Sequence, residues 1–372
     1  MPEFLLCCFL PLAWARAPRR ITAGGVVWLC YLVAAREQPL AIVRVLPQCS
    51  PLVAMALWLA HGAFLTLPWL VTWPSASWPA VRCALAFLAA LLWSLLPPWG
   101  LLGWLHPLTL SGWLYPAWGW TGLAATTALL LSLVLGARGW VLPLTLAALI
   151  ANALHRPLPH PPDWVALDTQ LPRAEAGALQ RMERQAALMA LVQRQLPAAP
   201  AVLILPEEIA GPWTAAEALW WQPTFEAAHA HGVTLILGAQ RPDPTGLRNG
   251  ALIVAPSGAR WQLARQPIPL AEWNPLEAKT PPSGWIADAP GFNTGITDIH
   301  GTRVLFSFCY EDLLTLPMLA SVAAGPMPQR IVSLANLWWT GGMEEPRVQQ
   351  RMLEGWGRLW GIPVMRAVNG PA

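Results

Sequence analysis

The chain has 372 residues, 55% of them hydrophobic and only 12% charged, whereas a soluble domain carries about a quarter charged residues. These values exclude an ordinary soluble protein and point to a membrane protein. The net charge of +3 is small and spread among arginines that flank apolar segments, so it reads as topology information, and direct nucleic-acid binding is not expected.

Charge divides the chain into two parts. Up to His155 the acids are Glu3 and Glu37, against Arg16, Arg19, Arg20, Arg36, Arg44, Arg82 and Arg138. Apolar runs lie at 4–14, 21–35, 52–73, 81–96, 113–135 and 140–154, several near the roughly 20 residues that cross a bilayer. Five or six spans are expected within 1–155, with 4–14 either a signal-like region or a short first span. Pro97, Pro98 and Gly100 interrupt the pattern, and 101–110 reads as re-entrant or interfacial. Tryptophans gather near the ends of these runs, as side chains anchored at headgroup level do. With Arg16, Arg19, Arg20, Arg82 and Arg138 cytoplasmic, an alternating path places everything after Leu154 outside the cytoplasm, together with Arg36 and Arg44.

Residues 156–162 are proline-rich and read as a linker. A second domain, 163–372, follows. Strand-like runs at 164–168, 201–205, 233–238, 251–254, 261–264, 304–308, 331–334 and 364–367 alternate with helical patterns at 174–195 and 215–231. That alternation argues for an α/β sandwich.

Five cysteines, Cys7, Cys8, Cys30, Cys49 and Cys83, fall in the apolar half with neither metal-ligand spacing nor a disulfide pattern. Cys309 stands alone in the second half, at the carboxyl end of the run Val304-Leu305-Phe306-Ser307-Phe308. A strand fixes such a thiol rigidly while letting it face a pocket. Alone, such a cysteine is more often a buried small hydrophobe than a nucleophile. Glu207 follows Leu203-Ile204-Leu205-Pro206, again at a strand's carboxyl end, where ligands bind in α/β sheets; alone, it reads as a polar turn. Together the two suggest a base and a nucleophile, because a thiol becomes reactive when a positioned carboxylate accepts its proton.

Leu205-Pro206-Glu207, the segment Arg265 to Trp273 with Ile268-Pro269 and Glu272, Cys309-Tyr310-Glu311, and Asn336 with Trp338 occur in an order and spacing that resemble the nitrilase (carbon–nitrogen hydrolase) superfamily. Apolar spans preceding such a domain look like apolipoprotein N-acyltransferase. Residues 265–269, Trp338-Trp339-Thr340 and Trp356-Gly357-Arg358-Leu359 are most similar to the TraB-type conjugal-transfer proteins. The resemblance implies a multi-span α-helical region followed by a four-layer αββα sandwich, in the bacterial inner membrane with the sandwich periplasmic. It makes Glu207 the general base, Cys309 the nucleophile that forms a thioester, and a lysine the group that holds the oxyanion. In the acyltransferase pattern that lysine precedes by eight residues the glutamate matched by Glu272, and Ala264 stands there. Arg265 and Lys279 are the two candidates. A guanidinium supplies positive charge but does not shuttle a proton; Lys279, the only lysine in the chain, sits in a Pro-rich loop where it also reads as a solvated charge. Glu272 and Glu311 match auxiliary carboxylates, with Tyr310, Asn336 and Trp338 around the substrate. Glu208 competes with Glu207, Asp312 reads as a loop-solvating residue, and His300 as a structural turn residue.

Two functions follow. The first is amide hydrolysis or acyl transfer through a Cys309 thioester, without metal or cofactor, on a membrane-lipid or lipid-linked substrate and tied to conjugal transfer. The second is a structural component of a conjugation apparatus on a nitrilase scaffold, which the departure at position 264 favours. A transporter is disfavoured because the apolar half lacks paired intramembrane charges. The acyltransferases continue beyond the position of Asn369, so either a closing element is absent here or a partner, a second copy in a homo-oligomer or an apparatus subunit, finishes the sheet.

Overall fold

A computed structural model of the chain describes residues 2–75, 77–159, 161–172, 177–243, 246–269, 271–272 and 294–371. It divides into two compact units, one formed by Met1–Leu158, Leu313–Leu319 and Arg347–Ile362, the other by Pro159–Asp312, Ala320–Pro346 and Pro363–Ala372.

The first unit is built from α1 (Pro2–Arg16), α2 (Arg20–Ala34), α3 (Gln38–Val45), α4 (Pro51–Thr72), α5 (Ala80–Leu95), α6 (Trp99–Leu102), α7 (Ser111–Leu114), α8 (Gly119–Leu135) and α9 (Arg138–Leu154). Unlike a soluble bundle, it is apolar on its outside as well as in its interior. Leu52 is 83% exposed, and Val71, Val81, Leu92, Leu149 and Trp140 also face outward, while α4 turns Ala54, Gly62 and Thr66 inward. Small inward residues let apolar helices approach closely. A Cβ on Gly62 would lie 2.8 Å from Leu32, and one on Gly24 would lie 2.7 Å from Leu70. Inside, Trp14 donates its indole N–H to the Trp69 carbonyl at 2.6 Å, and the Trp69 indole donates to the Tyr31 hydroxyl at 3.2 Å.

Length and composition make α4, with 22 residues, the one helix among the described residues that suffices alone to cross a membrane. The number rises to three if α2 with α3, bent by 50°, and Pro107–Leu114 with α8, bent by 118°, each count as one span. The remaining apolar helices have 10–17 residues, short of the roughly 20 needed. The run 113–135 breaks because Pro116 lacks an N–H and Ala117 and Gly119 adopt positive φ.

The second unit contains β1 (Trp164–Ala166), α10 (Ala178–Gln195), β2 (Val202–Ile204), α11 (Ala215–Ala230), β3 (Thr234–Asp243), β4 (Gly246–Ala255), β5 (Gly258–Leu263), β6 (Ile296–Ile299), β7 (Thr302–Phe308), β8 (Arg330–Asn336) and β9 (Val364–Asn369). Helix α12 (Thr315–Ala323) precedes β8 and α13 (Glu345–Trp360) precedes β9. One sheet runs β1-β2-β3-β4-β5 and the other β6-β7-β8-β9. In the first, β1, β2 and β3 are parallel and β4 and β5 antiparallel; in the second, β7, β8 and β9 are parallel and β6 antiparallel. Val202 and Ile204 point to a core shared with Phe306, Phe308, Val332 and Leu334, whereas Leu203 and Leu205 meet Leu188, Val192 and Trp221 of α10 and α11. Burial on both faces explains the uninterrupted apolar runs. The two sheets are tied at one edge, where Thr169 bridges Asn369. There the buried Asn369 amide accepts from the Thr169 hydroxyl at 2.7 Å and donates to the Leu171 carbonyl at 3.0 Å and to Asn336 Oδ1 at 2.8 Å.

Residues 347–362 of the α13 region cluster with the apolar helices. Arg358 Nε donates to the Gly112 carbonyl at 3.3 Å and Nη2 to Asn152 Oδ1 at 2.8 Å, with the guanidinium 4.9 Å above the Trp113 ring. Asn152 Nδ2 in turn donates to the carbonyls of Trp113 and Leu114, each at 3.0 Å. These are the carbonyls a helix end leaves unpaired, and a low-dielectric setting requires that they be satisfied. The contact is glycine-dependent: a Cβ on Gly112 would lie 1.7 Å from the Gly355 carbonyl oxygen, while one on Gly139 meets nothing within 4 Å. Gly112→Ala is expected to cost about 3 kcal/mol, the upper part of the overpacking range, read as a lowered thermal midpoint in detergent, whereas Gly139→Ala leaves the midpoint unchanged or higher.

Candidate active site

Glu207 is placed by the end of β2. The chain leaves the sheet through Leu205-Pro206 and passes tightly against β3, where a Cβ on Gly238 would lie 1.9 Å from the Pro206 carbonyl oxygen and 2.6 Å from Glu207 Cα. Glycine at 238 is therefore a packing requirement. The buried Glu207 carboxylate accepts Asn249 Nδ2 at 2.6 Å on one oxygen and the Asn336 backbone N–H at 3.1 Å on the other. It also shares a hydrogen bond with the Cys309 thiol. The neighbouring Glu208 has φ 50° and accepts Gln240 Nε2 at 2.8 Å, so it is Glu207 that meets the cysteine.

Cys309 directly follows β7 and opens the 3-10 turn Cys309–Leu313. Its φ is 34°, a left-handed conformation that costs a non-glycine residue of order 1–3 kcal/mol and is found where surrounding structure enforces it. The thiol, 3% exposed, packs among Ala335, Leu337, Trp339 and Val368. Its sulfur meets the backbone N–H of Asn336, the same N–H that reaches Glu207. Three strand ends thus converge: β2 brings the carboxylate, β7 the thiol and β8 the amide.

Burial, followed by the charges of Glu272 and Glu208, raises the Glu207 carboxyl well above the usual carboxylate range, against the opposing bonds from Asn249 and Cys309. Burial and the Glu207 charge push the Cys309 thiol up, with the Asn336 N–H opposing. Both shifts favour the protonated forms, and a Glu207 carboxylate, once ionised, is a stronger proton acceptor for the thiol than an exposed one.

The other expected site residues divide. Glu272 joins the pair: Asn249 Nδ2 lies 3.4 Å from its Oε1, and the Ile268 N–H donates to its Oε2 at 2.8 Å. Arg265 is engaged elsewhere. Its Nε and Nη2 donate to Glu311 Oε2 at 3.1 and 2.8 Å, its own backbone N–H donates to the same carboxylate, and Nη1 donates to the Ser321 hydroxyl. Nη2 also reaches the Phe306 carbonyl at 3.2 Å. Arg265 and Glu311 form a buried ion pair that fixes the start of the 265–269 segment against the Cys309 turn. Tyr310 follows Cys309, and burial raises its hydroxyl. Asn336 and Trp338 lie at and just beyond the end of β8, both half-buried. Lys279 lies outside the described residues. Asp312 corrects its expectation: it is fully buried, accepting the Ser307 and Ser333 hydroxyls at 2.6 and 2.7 Å, since a charge in a dry turn needs such partners. His300 does hold its turn, with φ 51° and a 2.7 Å bond between Nε2 and the Thr234 hydroxyl.

Asn249, which bridges Glu207 and Glu272, was missed by sequence reasoning. The available signal was a polar residue beside Gly250 within the strand pattern 246–255, where an amide is retained only if it has buried partners.

Glu272 is raised to about 8 by burial and the Glu208 charge, against about 4.3 in an unfolded chain. The folded protein therefore binds the extra proton, and stability present below about 4.3 is lost as pH rises towards about 8. Thermal midpoints measured across that window should fall with pH, and Glu272→Gln, which keeps an oxygen for the Ile268 N–H, should flatten the slope. An unchanged slope contradicts the assignment.

No protein-family model matches the chain. Conjugal transfer protein TraB of Agrobacterium fabrum is 34% identical over 376 residues, covering 96% of this chain and 86% of that protein. The probable conjugal transfer protein TraB of Sinorhizobium fredii is 30% identical over 375 residues, covering 96% and 90%. Among solved structures, a Saccharomyces cerevisiae member of branch 10 of the nitrilase superfamily overlies 55% of this chain and 74% of its own at 14% identity and a TM-score of 0.39. An amidase from Nesterenkonia sp. AN1 overlies 55% and 76% at 14% identity and a TM-score of 0.37. With 34% identity along nearly its whole length, this chain belongs to the TraB family of conjugal transfer proteins.

Proposed function

We propose that the chain is a membrane-anchored, nitrilase-like thiol enzyme of conjugal DNA transfer, an amide hydrolase or N-acyltransferase that works through a thioester on Cys309. The observation that carries this reading is the Glu207–Cys309 hydrogen bond, with the Asn336 N–H shared between carboxylate and sulfur. Glu207 takes the thiol proton as sulfur attacks the acyl carbon. The tetrahedral oxyanion then collapses, the departing amine receives the proton from Glu207, and the acyl group stays on Cys309. Water, for hydrolysis, or a second amine, for transfer, attacks the thioester as Glu207 accepts its proton; the C–S bond then breaks, the acid or new amide leaves, and Glu207 returns the proton to the Cys309 sulfur.

We assign the oxyanion cation to Lys279. Arg265 spends its guanidinium on Glu311 and Ser321 and acts by holding the turn. Glu207, Glu208 and Glu272 raise one another or sit buried together, and Asn249 Oδ1 is buried with no donor among the described residues. An ammonium is the group that such a set of acceptors favours. Glu272 steadies Asn249, and Tyr310, Glu311, Asn336 and Trp338 border the acyl group.

The outward Leu, Val and Trp faces of α4, α5 and α9 support residence in the inner membrane and a membrane-lipid or lipid-linked substrate. The arginine pattern supports a periplasmic sandwich, and self-association or docking to other apparatus subunits fits a component of a transfer machine. A second reading, a non-catalytic assembly subunit, is favoured by one observation, the commitment of Arg265 to Glu311.

Cys309→Ala is expected to abolish labelling by a thioester-forming acyl probe and to reduce plasmid transfer at least about a thousandfold, as loss of a nucleophile does. Lys279→Ala should cost about a hundredfold, in the range of a lost oxyanion donor. Undiminished transfer by Cys309→Ala selects the assembly reading. For topology, a reporter fused after Pro162 should be active only outside the cytoplasm, and cytoplasmic activity contradicts the periplasmic placement.

A further inference from the structure

The acyl-thioester reading leaves a fully buried carboxylate, Asp312, unused. Ser307 on β7, Ser333 on β8 and Arg366 on β9 are direct partners in the sheet register. Their strand neighbours Phe306, Phe308, Val332, Leu334, Met365 and Ala367 fill the core between the sheets, so alternation puts this polar row on the opposite face. Both serines are fully buried. Serine hydroxyls aligned on a dry sheet face cost stability unless something accepts their protons.

Asp312 is that acceptor. It lies three residues beyond Cys309, at the far side of the 3-10 turn, and is itself fully buried. One carboxylate oxygen accepts Ser307 at 2.6 Å; the other accepts Ser333 at 2.7 Å and lies 3.7 Å from Arg366 Nε. One side chain thus ties the turn to three adjacent strands. Burial raises the Asp312 carboxyl, while Arg366 and the two serine bonds favour its charged form.

We propose that Asp312 is a positioning residue of the active site, a buried carboxylate that locks the turn carrying Cys309 onto the Ser307–Ser333–Arg366 row and so seats the thiol opposite Glu207 in its left-handed conformation. Besides burial and the larger effect of the Glu207 charge, the Asp312 charge raises the Cys309 thiol. Among the described residues, the other charges around the turn are Glu311, neutralised by Arg265, Arg366, and Glu345, whose charge acts on Tyr310. Removing the Asp312 charge while keeping its bonds should therefore ease ionisation of Cys309, and removing both should unseat it. The inference rests on Cys309 being the reactive thiol, not on which acyl substrate it takes.

The test compares full-length wild type, Asp312→Asn and Asp312→Ala in detergent by iodoacetamide alkylation across pH, with modification of the Cys309 peptide read by mass spectrometry, and by thermal unfolding. Asparagine can still accept from one serine and donate to the other. The expected result is a wild-type thermal midpoint for Asp312→Asn with its half-maximal alkylation moved to lower pH. At a pH below both alkylation midpoints, a variant whose midpoint lies one pH lower reacts about tenfold faster, because its thiolate fraction is tenfold larger. For Asp312→Ala the expected result is a lower thermal midpoint and acyl-probe labelling reduced on the order of a hundredfold, the cost of misplacing a reacting group. Three coincident alkylation profiles, including three without labelling, overturn the proposal; so does equal destabilisation of both variants, which assigns Asp312 to folding alone. Unimpaired plasmid transfer by Cys309→Ala would sink the enzyme reading while leaving the alkylation comparison decisive for Asp312.

Discussion

The second unit depends on a contact that crosses its two sheets, between the Glu207 carboxylate at the end of β2 and the Cys309 thiol at the end of β7, with the Asn336 N–H of β8 reaching both. No single sheet could supply it. The interleaved core of Val202, Ile204, Phe306 and Val332 fixes the spacing between the sheets, and the Asn369 amide, bonded to Thr169 and Asn336, pins the nearby edge. Contacts as far apart in sequence as Thr169 and Asn369 therefore decide whether a carboxylate and a thiol meet.

The arrangement stores unfavourable electrostatics at the site. Glu207 and Glu272 share the Asn249 amide, with the Glu208 charge acting on Glu207, Cys309 holds a left-handed backbone, and a further carboxylate, Asp312, is buried in the turn. Each feature opposes folding by itself and persists because neighbouring bonds over-determine it. Concentrations of strained and raised groups of this kind cluster at reactive sites, and this one supports the chemistry proposed for Cys309.

Much of this was legible from the chain. Continuous apolar runs ending in Pro206-Glu207 and in Cys309 located β2 and β7, because strands buried on both faces leave an unmistakable pattern. Arg265 was located, but its partner was not. Sequence order shows a cation near an acid and says nothing of the buried pairing with Glu311 46 residues away. Asn249, Asp312 and the register-matched serines escaped because their meaning lies in cross-strand alignment. Helix α13 escaped for a related reason: Gly355 and Gly357 weaken its helical pattern, yet glycine at 355 faces Trp113, whose indole nitrogen a Cβ would meet at 2.8 Å. In the apolar half, composition announced spans more readily than their lengths support, since the bend at residues 115–118 divides one apolar run and three others form helices of only 10–17 residues.

The central claim is that Glu207 is the base that activates Cys309, and mass spectrometry of the Cys309 peptide after incubation with an activated acyl donor tests it most directly. Wild-type protein should carry the acyl mass on Cys309, and Glu207→Gln, which preserves the bonds from Asn249 and Asn336 but not the proton acceptor, should not. Equal acylation of both proteins, or none on wild-type Cys309, would contradict it.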